Sequence, residues 1–139
     1  TKGSTMLEGS NYICDMRQDD QLLAVTEEAC VASVNHIRDA LYVLGGKWKL
    51  VLIFSLIESP KRFGELQRVL KGIGPKMLAK DLKELEINEF IVRKVEEGSP
   101  AKIIYEATAY SQSLKNVLAE LRDWGAQHRE KIRSSMRAN

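Results

Sequence analysis

The sequence predicts an α+β fold that is mainly helical. Apolar residues recur at steps of three and four over most of the chain, two stretches at 90–95 and 102–107 are instead β-branched and aromatic, and glycine or proline marks nearly every change of period. With 139 residues there is enough chain for one domain with its own core. Hydrophobic residues make up 44% and charged residues 29%, an ordinary soluble globular mix. No apolar run reaches the roughly 20 residues of a membrane helix. The longest, Leu50 to Ile57, is broken by Ser55 and stops at Glu58. Residues 1–11 lack the apolar segment of a secretory signal, so the expected location is cytoplasmic, with no membrane partner.

Taken in order, residues 1–17 are polar and aperiodic and read as a flexible leader. From Asp19 a stripe of Leu22, Val25, Ala29, Cys30, Val34, Ile37, Leu41 and Leu44 predicts one long helix, or two broken near Ser33 to Asn35. Gly45-Gly46 ends it. A helix is then expected from Lys47 to Glu58, with Trp48, Val51, Leu52 and Leu56 inward, until Ser59-Pro60 stops it. After a short extended piece at Arg62-Phe63, Gly64 is the expected N-cap of a helix from Glu65 to Leu70. Lys71-Gly72-Ile73-Gly74 is turn chemistry. Pro75 suits the first position of the next helix, because its missing N–H would have no partner there. That helix should run to Ile87, with Met77, Leu78, Leu82 and Leu85 apolar.

Phe90 to Val95 and Lys102 to Ala107 read as two strands of a hairpin around Gly98, Ser99 and Pro100. Thr108 is the expected cap of a last helix carrying Leu114, Val117, Leu118, Leu121 and Trp124. The basic stretch from Gln127 to Asn139 is expected to fray. Two helices joined by a glycine-bearing turn and followed at once by a hairpin make a winged helix-turn-helix, with further N- and C-terminal helices for dimerisation. The organisation expected is a leader (1–17), a winged-helix and dimerisation domain (18–129) and a basic tail (130–139).

A net charge of +2 does not by itself indicate nucleic acid, so the placement of charge decides. Lys76, Lys80 and Lys83 share one face of the helix Pro75–Ile87, opposite Leu78, Leu82 and Leu85. Such a face can meet phosphates and base edges in a major groove. It can also be an ordinary solvated face, since Asp81 and Glu84 dilute its charge. Lys61 and Arg62 precede the first motif helix and suit a backbone clamp. Lys94 and Lys102 flank the wing, Val95 to Ile103, and suit contacts beside the groove.

Catalysis is not indicated. Gly45-Gly46-Lys47 lacks phosphate-loop spacing, and His36 and His128 have no nucleophile set around them. The two cysteines, Cys14 and Cys30, have no metal spacing, so no cofactor or metal is expected. Cys30 lies on an apolar stripe and reads first as an inert small hydrophobe, with a redox role as the alternative. Trp48 and Trp124 are expected in the core.

Several segments resemble one family. Leu44-Gly45-Gly46-Lys47-Trp48-Lys49-Leu50 is similar to the signature of the HxlR family of winged-helix regulators. Pro60 to Leu66, Gly72-Ile73, Lys76-Met77-Leu78, Leu82 to Glu86, Pro100, Tyr105, Thr108 and Asp123-Trp124-Gly125 follow in register. The resemblance spans about 35–128. It implies a cytoplasmic homodimer that binds operator DNA and controls nearby genes, with an unidentified small-molecule effector as a further possible partner. Asn35 stands where many members carry a cysteine, so the resemblance does not extend to redox sensing there. Gly74-Pro75 replaces a common Ser-Gln pair. Glu89 replaces a glycine, and Asn88 is expected to take the left-handed conformation in its place. The dimer is expected to use Leu22 and Val25 from the first helix and Leu114, Val117, Leu118, Leu121 and Trp124 from the last. The competing readings are a winged-helix module for protein contacts alone, and a redox- or ligand-sensing form of the regulator.

Overall fold

The structure is a computed structural model, and residues 27–138 are described. The leader, Leu22 and Val25 lie outside the described residues. The chain divides into two units at Gly45 and Gly46. The first holds helix α1 (Glu27–Leu44), which passes through Ser33 and Asn35 unbroken. Ser33 Oγ donates to the Ala29 carbonyl at 2.9 Å, so its hydroxyl is satisfied along the helix rather than breaking it. The Gly45 N–H closes the last turn on the Leu41 carbonyl at 2.7 Å. A Cβ at Gly45 would collide with that oxygen, which is why the helix stops on glycine.

The second unit contains α2 (Lys49–Glu58), α3 (Phe63–Val69), α4 (Pro75–Ile87), β1 (Ile91–Glu96), β2 (Lys102–Ala107), a 3-10 turn (Tyr110–Leu114) and α5 (Lys115–Ala138). Its core is Leu52, Ile53 and Leu56 from α2, Leu66 from α3, Leu78, Leu82 and Leu85 from α4, and Phe90 and Ile91 at the start of the hairpin. Each leucine buried this way contributes about 2 kcal/mol by area. Ile53 fills the inward place expected for Val51, which is turned outward with Phe54. Trp124 is exposed and stacks on His128 with ring centroids 5.0 Å apart, so it is not a core residue as expected. Trp48 is only half-buried, with Lys47 Nζ 5.0 Å from its ring centre.

Local chemistry sets the ends of the motif helices. Helix α3 begins two residues before Glu65, with Arg62 as N-cap in place of Gly64. The Arg62 N–H donates to Glu65 Oε1 at 3.3 Å, so the carboxylate reaches back over the first turn. Leu70 and Ile73 are both buried in the turn after α3, and Gly72 between them takes φ 97°, a conformation that favours glycine. Helix α4 then starts on Pro75 and ends at Ile87.

β1 and β2 pair antiparallel, Ile91 opposite Ala107 through Glu96 opposite Lys102. The extended residue that joins this sheet is Lys61, which bridges to Tyr105, rather than Arg62-Phe63. Thr108 does not cap the last helix as expected: it lies just before the 3-10 turn, whose N-cap is Ala109, and its hydroxyl accepts from the Ser111 N–H at 3.3 Å. Its own hydroxyl donates to the Glu89 carbonyl at 2.7 Å. Buried Ser111 donates to the Phe90 carbonyl, tying the turn to the start of the hairpin. Helix α5 starts after this turn and continues through Gly125 to Ala138, where fraying was expected. Its last turns are rich in Arg, Lys and Glu, which are good helix formers.

After α4, Glu89 and not Asn88 has positive φ, 66°. Asn88 is held right-handed because its N–H and its Nδ2 both donate to the Glu84 carbonyl, each at 3.1 Å. A left-handed non-glycine residue costs about 1–2 kcal/mol. Glu89→Gly is therefore expected to raise stability by about 1 kcal/mol, after the entropy cost of glycine. Urea denaturation checks this. An unchanged midpoint would mean that the Glu89 side chain offsets its backbone.

Candidate nucleic-acid interface

The leucines of α4 fix what its other side presents. With Leu78, Leu82 and Leu85 buried, Lys76, Lys80 and Lys83 face solvent together. Asp81 does not share that face, contrary to the expectation that it dilutes the lysine charge; it is 7% exposed and turned inward. Glu84 is held by Lys49, the first residue of α2, whose Nζ lies 2.6 Å from Glu84 Oε2. The outer face of α4 is thus more positive than its sequence indicates.

The lysines differ in how free they are. Lys80 Nζ lies 3.9 Å from Glu84 Oε1, and Lys83 Nζ lies 3.7 Å from Glu86 Oε1. Both are loose pairs on exposed side chains, worth little in water. Among the described residues Lys76 has no ion pair, and neither do Arg62 and Lys102. Lys94 on β1 is held 2.6 Å from Glu106 Oε2 on β2, which ties its charge to the hairpin. Lys61, expected as a backbone clamp, is engaged within its own chain. Its ammonium donates to the Ser55 carbonyl at 2.8 Å, the Ser59 carbonyl at 3.4 Å and Ser59 Oγ at 2.9 Å. It closes the C-terminal end of α2, where a cation also meets the negative end of the helix dipole.

Two residues near this face were not singled out from the sequence. Arg93 is exposed on β1 and, with Lys83, Glu86 and Tyr105, lines a hollow of about 210 Å³ between α4 and the hairpin. Lys49 was visible only as part of a motif, because its partner lies 35 positions away, at Glu84.

The carboxylates of α4 titrate in opposite directions. Burial pushes the Asp81 carboxyl above its ordinary range, against the pull of Lys49. The hydrogen bond from Lys49 holds Glu84 below its ordinary range. For Asp81 a raised pKa means that the fold binds the proton more tightly than the unfolded chain does. Its contribution to stability falls as pH rises through the carboxylate range, and the penalty is complete above the folded value. Asp81→Asn should therefore raise the melting temperature at neutral pH, with the gain fading in acid below the ordinary carboxylate range. A neutral-pH loss would mean that the attraction of Lys49 outweighs burial.

The residues expected at a dimer seam are scattered in burial. Leu118 is 6% exposed and belongs to the core, and Leu114 is half-buried. Val117, Leu121 and Trp124 are exposed along α5. Cys30 is disulfide-bonded, which corrects its reading as an inert thiol.

Helix α3, a tight turn, helix α4 and an antiparallel hairpin directly after it define a winged helix-turn-helix protein. Residues 43–133 match the model of the HxlR-like helix-turn-helix family, and the chain belongs to that family. It is 41% identical over 88 residues to the HTH-type transcriptional regulator YkvN of Bacillus subtilis, covering 63% of this chain and 75% of YkvN. It is 40% identical over 96 residues to the regulator YtcD of the same organism, covering 69% of this chain and 76% of YtcD. Among solved structures, the redox regulator HypR in its reduced form superposes with a TM-score of 0.66 at 32% identity, over 71% of this chain and 98% of HypR. These relatives are transcriptional regulators and not enzymes. The chain is a DNA-binding transcriptional regulator of the helix-turn-helix class.

Proposed function

We propose that the chain acts as a homodimer that reads an operator, with α4 of each copy in a major groove and the β1–β2 wing beside it. The lysine face of α4 carries this reading. It is exposed, and its acidic neighbours are turned inward or paired to Lys49. Two-fold symmetry supports the dimer, since two such helices about 34 Å apart meet successive major grooves on one side of B-DNA. Exposed apolar side chains on α1 (Val31, Val34, Ile37, Leu41) and on α5 (Val117, Leu121, Trp124) support it further, because contiguous apolar surface marks an interface. A footprint over DNA upstream of its own gene tests the reading. It is best run with and without reductant, because Cys30 is disulfide-bonded and HypR is a redox regulator. Protection that changes with reductant supports a redox-controlled form, and no protected site argues for a module of protein contacts.

Lys76 has no carboxylate to leave before it meets a phosphate, so it should contribute most among the α4 lysines. Lys76→Ala is expected to weaken binding and to lower the slope of log affinity against log salt by about 0.9. Titrations at several salt concentrations check this. An unchanged slope would remove Lys76 from the contacts.

A further inference from the structure

Lys49 is the first residue of α2, and only 15% of its side chain is exposed, so it is poorly placed to touch DNA itself. Its Nζ makes a 2.6 Å contact across to Glu84 on α4. Three features set this pair apart from the other ion pairs of the unit. It joins two helices, whereas the pairs of Lys80 and Lys83 stay within α4. It lies one turn beyond Asp81, which also stands in the field of Lys49. And its carboxylate has a second oxygen 3.9 Å from Lys80, on the face that would meet DNA.

Most of the other side chains that α2 and α4 bury are leucine and isoleucine: Leu52, Ile53 and Leu56 on α2, and Leu78, Leu82 and Leu85 on α4. Apolar packing is close but not directional, so it holds a helix against its neighbour better than it fixes rotation or sliding. A short charge-assisted hydrogen bond is directional. A reading helix must be held to about 0.5 Å and 10–20° for side chains to meet base edges. We propose that Lys49 is a positioning residue for α4: its bond to Glu84 fixes the rotation of the helix on α2. This rests on the reading of α4 as the DNA-contacting helix.

The Glu84 end of the pair is 38% exposed, so solvent screens it and it adds little to overall stability. Its loss should appear in discrimination between sequences, which separates positioning from simple support of the fold. The experiment takes a duplex selected by the wild-type protein from a randomised pool, and a random duplex of equal length. Affinities for both are measured across salt for wild type, Lys49→Met, Lys49→Arg and the charge swap Lys49→Glu with Glu84→Lys, with melting temperatures alongside.

Lys49→Met is expected to lower the ratio of selected to random affinity about tenfold, the scale of one misread base pair. Its salt slope and melting temperature should stay near wild type, and Lys49→Arg and the charge swap should recover most of the ratio. A slope lower by about 0.9, with both duplexes weakened alike, would make Lys49 a phosphate contact and overturn the proposal. So would an unchanged ratio, a loss that follows the melting temperature, or no recovery by the swap. If the wild-type protein selects no duplex, the DNA-binding reading itself fails, and the proposal with it.

Discussion

Leu121→Glu combined with Trp124→Glu is expected to yield a folded monomer that no longer holds its operator. Leu121 is 49% and Trp124 63% exposed, so neither side chain is needed by the core of its own chain. Both lie on the stripe of α5 that continues through Ile132 and Met136. Leu121 also lines a groove of about 340 Å³ with Leu50, Val51, Phe54, Leu118 and Arg122, whose mainly apolar lining suits a helix from a second copy. Two carboxylates there would be buried unpaired in a dimer, at a cost of several kcal/mol. Leu118 is a poor test position, because Leu118→Asp would put a charge into the core and report on folding. Operator binding should fall by at least about 100-fold, because the second half-site is then no longer bound within one particle. Light scattering at micromolar concentration, circular dichroism and a binding titration check the three parts. A variant that remains dimeric, or a wild type that is monomeric yet binds a palindrome tightly, would sink the dimer.

The features legible in the sequence were those whose causes are local. Helix α4 was read from Pro75 to Ile87 because proline at the first position and leucines at helical spacing act within the segment itself. The hairpin was legible for the same reason, from β-branched runs around a turn. Misreadings arose where one particular hydrogen bond decides between neighbouring residues that suit the same role. Glycine is a good N-cap, but Glu65 reaches Arg62, and α3 starts there. Asn tolerates the left-handed conformation, but Asn88 is occupied with the Glu84 carbonyl, and Glu89 takes the positive φ.

The candidate interface divides in the same way. The lysine face of α4 was legible from spacing. Its effective charge was not, because that depends on Asp81 turning inward and on Lys49 reaching Glu84 from another helix. Lys61 looked like a clamp because a basic pair precedes a helix, yet the three oxygens it meets are brought together only by the end of α2. Trp124 looked like core because large aromatics usually are, and a dimer would restore that expectation between two chains rather than within one.

Leu82→Ala is expected to lower stability by about 2–5 kcal/mol, the usual range for a leucine removed from a packed core. Leu82 is 2% exposed, and its neighbours on the inner side of α4, Leu78 and Leu85, are completely buried. Little of the resulting void can close, because Leu78 and Leu85 on the same side of the helix remain packed in the core. A loss of this size is a large part of the 5–15 kcal/mol typical of a small domain. Met77 on the same helix is 44% exposed and provides the contrast: Met77→Ala should cost under about 1 kcal/mol. Urea denaturation of both variants measures the difference. The prediction reaches function because the helix that packs the core also bears the face proposed to meet DNA. The side of α4 that bears Lys76, Lys80 and Lys83 is rigid only while its opposite side is packed, so Leu82→Ala should also reduce operator affinity among the molecules that stay folded. Equal losses for Leu82→Ala and Met77→Ala would show that α4 is not seated on its leucines.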